Sequence, residues 1–302
     1  MSLCNDKCMA KYNIRHNNAV YDVQFSPDGT HLATASLDNT AKIWKLADGS
    51  VAATLRGHGD GVSTLCFAPN GKSLATGSLD GSVRLWDYPG ASQRTSLAHG
   101  KYTTCVAYSG DSKMVASSGY NNLARVWDAK SGSPVASLSH PGTVYSVALS
   151  KDGAFLLTGC RDNTARIWNI KTGKIHKILA GHSRTVECVA WSSDPKIVAT
   201  GSGDSSVRLW SVDTGKMTRL FQGHSKYVKS VSFSKDGKLL VSGSNDLTAK
   251  VWKVADGSLQ TTIRGHRNTV YGVAFSPSKP LVATASFDRT ARIWNVNNGL
   301  EV

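Results

Sequence analysis

Apolar and polar residues alternate along most of this chain in short runs, each cut by glycine, proline, aspartate or asparagine. Residues 62–78, VSTLCFAPNGKSLATGS, show the unit: an apolar strand, a turn at PNG, and a second strand. VRLW (83–86) supplies a third strand, and runs such as VAATL (51–55) supply a fourth before the next histidine. No stretch carries the period of a helix, so the pattern predicts an all-β chain.

The unit recurs. Trp44, Trp86, Trp127, Trp168, Trp210, Trp252 and Trp294 stand 42, 41, 41, 42, 42 and 42 residues apart, and His16, His58, His99, His140, His182, His224 and His266 keep the same spacings. A hydroxyl precedes each turn (Thr34, Thr76, Ser117, Thr158, Thr200, Ser242, Thr284). Four positions later comes Asp38, Asp80, Asp162, Asp204, Asp246 or Asp288, with Asn121 in the third repeat. A period of 40–45 residues is that of a four-stranded propeller blade, so seven antiparallel blades are expected. Repeats three and four replace LxGH by LAH (97–99) and LSH (138–140), which accounts for the two shorter spacings.

His58, Thr76 and Asp80 taken alone look like the parts of a hydrolase. A catalytic set is needed once, whereas this one occurs in every repeat. Such groups satisfy one another inside a sheet, where an orphaned buried partner costs roughly 1–3 kcal/mol. The set reads as scaffold. No phosphate loop, metal-ligand cluster or unique nucleophile–base pair is present, so neither an enzyme nor a cofactor is expected. His31 and His176 are unaccompanied, and Trp191 fills a slot taken elsewhere by Phe25, Phe67, Tyr108, Phe233 and Phe275.

GHSRTVECVAWSSDPKIVATGSGDSSVRLW (181–210) and its six siblings resemble the WD-repeat family of seven-bladed propellers, over about residues 11–302. The resemblance implies a structural tetrad of His, Ser/Thr, Asp and Trp in each blade. The turns ADG (47–49) and KTG (171–173) match as well. Only NVNNGLEV follows Trp294, so residues of about 7–15 are expected to complete the last blade. This gives a short tail at 1–6 and one propeller domain at 7–302. A closed ring has no open sheet edge at the join.

The Asp after each Trp survives only as Asp87 and Asp128; Lys45, Asn169, Ser211, Lys253 and Asn295 replace it. Lys42, Arg84, Arg125, Arg166, Arg208, Lys250 and Arg292 each lie two residues before their Trp, on the same sheet face. Their stems are expected between blades with the charge paired to a neighbouring Asp, the alternative being a ligand-facing basic ring.

The resemblance also implies three rim positions per blade on the top face, three and five residues after the His and one before the Asp. The first gives Ala19, Gly61, Tyr102, Thr143, Thr185, Tyr227 and Thr269; the second Tyr21, Ser63, Thr104, Tyr145, Glu187, Lys229 and Tyr271; the third Leu37, Leu79, Tyr120, Arg161, Gly203, Asn245 and Phe287. Six of the nine tyrosines fall in this set, and tyrosine and arginine dominate interaction hot spots. Tyr21, Tyr271 and Phe287 are expected to form one aromatic group, and Tyr102, Tyr120 and Tyr145 another beside Arg161. Glu187 would receive a cation from a partner; Lys229 and Arg161 would take carboxylates or phosphates. The expected function is a non-catalytic adaptor, a monomeric propeller that grips peptide or loop segments of other proteins within a larger complex.

Charge supplies the competing reading. The net charge is +14; residues 1–150 hold 13 Lys/Arg against 10 Asp/Glu, and residues 151–302 hold 22 against 11. A basic surface on blades four to seven would bind RNA or acidic or phosphorylated protein tails, although no RNP-like motif is present. No apolar run reaches the ~18 residues that cross a bilayer, and MSLCNDKCMAKYN has no apolar leader core. Cys4 and Cys8 have no second pair to complete a metal site, and the scattered cysteines suit a reducing compartment, cytoplasm or nucleus.

Overall fold

The computed structural model describes residues 12–302. Its twenty-eight strands, β1 to β28 in chain order, form seven four-stranded antiparallel sheets. The inner strands of blades one to seven are Val20–Phe25, Val62–Phe67, Thr103–Tyr108, Val144–Leu149, Val186–Trp191, Val228–Phe233 and Val270–Phe275. Each packs against the inner strand of the next blade, and the seventh against the first, which makes the ring.

Blade seven joins the two ends of the chain. Its order is β1 (Ile14–Arg15), β28 (Thr290–Asn295), β27 (Leu281–Ser286), β26 (Val270–Phe275). Ile14 faces Ala291 and Arg15 faces Thr290. Outer strands bury little except one residue near the end: Leu55, Leu97, Leu138, Leu179, Phe221 and Ile263, with Ile14 as the seventh. The N-terminal segment therefore acts as a seventh outer strand. Residues 7–11, expected to share this role, and the tail at 1–6 lie outside the described residues.

The second strand of each blade is buried along nearly its whole length because a sheet covers both of its faces. Small residues make this possible. A Cβ on Gly201 would lie 2.7 Å from Val228 of the next blade, and one on Gly77 2.6 Å from Thr103. Seven hydrophobic clusters fill the gaps between blades, each holding one Trp of the repeat.

The polar set ties the loops to this frame. In blade five Trp210 Nε1 donates to Thr200 Oγ1 (2.8 Å), the hydroxyl donates to His182 Nε2 (2.7 Å), and His182 Nδ1 donates to Asp204 (2.8 Å). Asp204 also accepts from the Ser183 amide and the Ser206 hydroxyl. Blades one, two, six and seven repeat the scheme through Asp38, Asp80, Asp246 and Asp288. Burial pushes these carboxyls up, but the hydrogen bonds outweigh it and hold all five well below the usual carboxylate range.

The expectation of a tetrad in every blade fails in blade four. Each regular Asp takes the amide of the residue after the His: Asn17, Gly59, Ser183, Ser225 or Arg267. In blade four that residue is Pro141, which has no N–H to give. His140 Nδ1 donates instead to the Leu138 carbonyl (3.0 Å), and Asp162 turns to Arg166. The buried guanidinium and the Thr164 hydroxyl overcome burial and bring Asp162 down to about 2. Blade three keeps its set with the His99 ring turned over: Nδ1 meets Ser117, and Nε2 meets Asn121 at 3.0 Å. Burial pushes both His99 and His140 down to about 4.

The basic residues before each Trp also depart from expectation. Only Arg166 and Arg208 reach a repeat Asp. Arg292 pairs with Glu301, Arg84 donates to Gln93, Arg125 to the Ala98 carbonyl, Lys42 to the Arg15 carbonyl and Lys250 to Thr262. In the regular blades the carboxylate is already occupied by histidine, amide and hydroxyl, and among them only Arg208 comes within ion-pair range, at 3.7 Å from Asp204.

Candidate functional site

One irregularity builds the top of the channel. In every blade the pairing between the first two strands skips one residue of the inner strand, at Tyr21, Ser63, Thr104, Tyr145, Glu187, Lys229 and Tyr271. A bulge leaves one residue unpaired and re-aims its side chain. The second rim position of each repeat is this bulged residue, so seven side chains turn toward the channel mouth. Ser63 and Thr104 use theirs to bond the neighbouring blade, donating to the Thr103 carbonyl (2.6 Å) and the Val144 carbonyl (2.7 Å).

Five of the six rim tyrosines gather in two groups. Tyr21 and Tyr271 stack with centroids 4.3 Å apart and planes 15° from parallel, and Phe287 lies 6.1 Å from Tyr271 and 6.4 Å from Tyr21. Tyr120 stands edge-on to both Tyr102 (5.7 Å) and Tyr145 (5.9 Å). Tyr102, Tyr120 and Phe287 are 52%, 47% and 43% exposed, so the rings do not fold into the core. Burial, with Tyr120 and Glu187 close by, raises the Tyr145 hydroxyl to about 12, and burial beside Tyr271 raises Tyr21 further. Both stay neutral donors at physiological pH. Leu37 and Leu79 close over Gly61, where a Cβ would meet Leu37 at 2.5 Å and Leu79 at 3.4 Å. Arg161 is exposed on blade four, in no ion pair among the described residues.

Two of the expected roles are corrected. Glu187 and Lys229, on neighbouring inner strands, bond each other at 2.9 Å. Glu187 is thus occupied by a cation of this chain, and Lys229 is neutralised rather than presented to an anion. The Lys229 ammonium also lies 5.6 Å from the Tyr227 ring and 5.9 Å from that of Tyr271. Adjacent bulges bring the two residues together, a proximity that linear spacing of 42 residues does not display.

Below the mouth lies a channel of about 580 Å³, lined by Tyr21, Tyr145, Glu187, Lys229 and Tyr271 above and by Asp22, Cys66, Cys105 and Cys188 deeper in. Asp22, Cys105 and Cys188 directly follow their bulged residues and Cys66 comes three after Ser63; a strict two-residue alternation from the rim misses them, because the unpaired bulge residue breaks that alternation. Asp22 accepts from the Leu65 amide (3.0 Å), the Val23 amide (2.8 Å) and Thr64. Enclosure nevertheless raises its carboxyl to about 6. Enclosure also raises the Cys66 thiol to about 12 and Cys105 to about 11, so both remain protonated and unreactive. Among the described residues no three of His, Cys, Asp and Glu converge as a metal ion would require.

Arg184, one residue short of the first rim position, is a second omission. Its Nη1 donates to the Tyr227 hydroxyl at 2.9 Å, and the guanidinium lies 5.8 Å from that ring. With Lys226 and Asn245 it lines a top-face depression of about 510 Å³ between blades five and six.

A family model described as WD domain, G-beta repeat matches residues 6–45, 49–87, 90–128, 132–169, 173–211, 215–253 and 257–295. Similar proteins align over short segments of 34 to 57 residues. Ribosome assembly protein 4 of Chaetomium thermophilum is 56% identical over 34 residues, 11% of this chain and 7% of that protein. WD repeat-containing protein 86 of Homo sapiens is 44% identical over 43 residues, 14% and 11% of the two chains. Denticleless protein homolog A of Xenopus laevis is 39% identical over 57 residues, 18% and 8%. The chain thus spans about a tenth or less of the length of these relatives.

Proposed function

The chain belongs to the WD-repeat family, whose propellers are generally non-catalytic scaffolds for protein interaction, and on that premise we propose a peptide-binding adaptor acting through the top face. One observation carries the reading: seven bulges direct asymmetric side chains to one mouth, and six tyrosines with Phe287 collect there partly exposed. Exposed aromatic clusters on a rigid frame mark contact surfaces. Each ring presents an apolar face and, in tyrosine, a hydroxyl that stays protonated, which suits an extended segment or loop laid across the mouth.

The regular His–hydroxyl–Asp sets support a role without catalysis, since each histidine is held between a hydroxyl and a carboxylate that keep it in place. The Denticleless and ribosome-assembly relatives share short segments with this chain, and their names bear only on what such a segment can serve. Affinity purification from source cells, with the wild type and a Tyr145→Ala/Tyr271→Ala double variant, tests the reading. The double variant should lose the co-purifying proteins while staying folded, since the three aromatic pairings it removes weigh about 1.5–4.5 kcal/mol beyond the area they bury. An unchanged set of proteins would place the interface on the sides or the bottom.

A further inference from the structure

Four loops meet between blades five and six: Ser183–Arg184 and Gly203–Ser205 of one, Ser225–Tyr227 and Asn245 of the other. Arg184 and Lys226, each two residues after its repeat histidine, are exposed on this depression and in no ion pair among the described residues. The carboxylates nearby are spent. Asp204 is held by His182 and Ser206, Asp246 by His224 and Thr248, and Glu187 by Lys229. Two cations therefore share one concavity with the single carboxylate of Asp204, which His182 and Ser206 already hold, leaving an excess of positive charge; the Tyr227 hydroxyl pins one of the two cations.

A second, independent feature points the same way. Asn245 Oδ1 is buried with no hydrogen-bond partner, the one orphaned side-chain oxygen among the described residues. Such an acceptor awaits a donor. A free anion or a phosphodiester group brings only acceptors, whereas a peptide brings an amide N–H along with its side chain. The cations ask for negative charge and Asn245 asks for an N–H, and one peptide residue supplies both.

We propose that this depression seats a phosphorylated serine or threonine of the segment bound at the mouth. The inference rests on the peptide-binding reading above and adds the chemistry of one residue of the ligand. A phosphoryl group carries a charge near −2 and three acceptor oxygens, against the single charge and two oxygens of a carboxylate. It thereby matches an Arg, a Lys and the seryl walls of Ser183, Ser205 and Ser225. Tyr227 links the seat to the mouth through Lys229.

The test uses immobilised full chain and nine-residue peptide pools with degenerate flanks and a central phosphoserine or phosphothreonine. The same pools with Ser/Thr or Glu at the centre, and polyuridylate RNA, run in parallel at 150 mM salt (about the physiological level). The phosphorylated pool should be retained about tenfold or more over its unphosphorylated counterpart, as one charge-assisted hydrogen bond confers. Arg184→Ala/Lys226→Ala should erase that preference without loss of the unphosphorylated pool, and Asn245→Leu, which removes an acceptor for an N–H that both pools carry, should weaken both alike. No phosphate preference, or one that survives the double variant, overturns the proposal. Equal retention of the Glu pool overturns it in favour of a carboxylate seat, and tighter retention of RNA overturns it in favour of nucleic acid. Tyr145→Ala/Tyr271→Ala read on the unphosphorylated pool separates the two readings: binding that depends on the mouth but ignores phosphate leaves the adaptor standing and removes the seat.

Discussion

Glu187 and Lys229 occupy the bulges of adjacent inner strands and bond at 2.9 Å across the channel mouth. The pair cancels charge where a ligand would enter and places the ammonium between Tyr227 and Tyr271. Glu187→Gln should release that cation into the mouth. The pair is mostly buried, with side chains 19% and 9% exposed, but Gln keeps a carbonyl acceptor for the ammonium, so the stability lost should fall short of the about 3–5 kcal/mol that an unpaired buried charge costs. Retention of acidic peptides should rise and grow more salt-dependent. Calorimetry together with a salt titration of peptide binding checks both, and a large loss of stability would show that the pair holds the fold rather than tunes the face.

Asp22 gives a stability prediction with a definite sign. Its folded carboxyl titrates near 6 against an unfolded value near 4. The folded state therefore binds the proton more readily, so its contribution is fully present below about pH 4 and is lost as pH rises through 6. Asp22→Asn keeps one oxygen as acceptor for Leu65 and Thr64, gives up the acceptor of the Val23 amide, and removes the enclosed charge. It should stabilise the protein at pH 7–8 by about 1–3 kcal/mol, with the gain vanishing toward pH 4. Thermal melts across that range decide it; a destabilised variant at pH 8 would mean that the negative charge itself is needed by the surrounding amides.

Blades four and five differ in what their carboxylates do. Asp204→Asn removes the charged acceptor of His182 and should cost about 1–3 kcal/mol. Asp204 is depressed in the folded state, so its contribution is present above about pH 4 and disappears as the solution is acidified through the folded value. Asp162→Asn leaves the His140 bonds to Leu138 and Thr158 untouched and should instead unsettle Arg166. Histidine NMR distinguishes them. The His182 ring signals should shift in the first variant, and those of His140 should hold in the second.

Ile14 is 1% exposed and stands where six other blades place Leu, Phe or Ile at the end of the outer strand. Ile14→Ala should cost about 2–5 kcal/mol. The loss should appear first at blade seven, as faster amide exchange along Thr290–Asn295. Uniform exchange changes around the ring would show that the join is no weaker than the other blades.

Repetition made the architecture legible, since Trp and His at a period near 42 leave little choice but seven equivalent sheets. The rim residues were legible too, because a bulge at a constant place in each repeat turns a count from the histidine into a direction in space. What remained hidden depended on neighbours across blades. Pro141 was visible as a letter, but its effect follows only once the amide at that place in five other blades is seen to serve an aspartate. Glu187 and Lys229 each read as open to a partner because their distance in space is unrelated to their distance in the chain. Arg184 fell one position outside the pattern, and the orphaned oxygen of Asn245 has no signature in a string of residues.

The seven bulges have an evolutionary consequence. Each sets one residue outside the ladder of its own blade, so that residue can be exchanged without breaking a strand pairing or opening a gap in the hydrophobic clusters. Selection can therefore rewrite the mouth one letter at a time while the ring keeps its shape, and new specificities are reachable through intermediates that all fold.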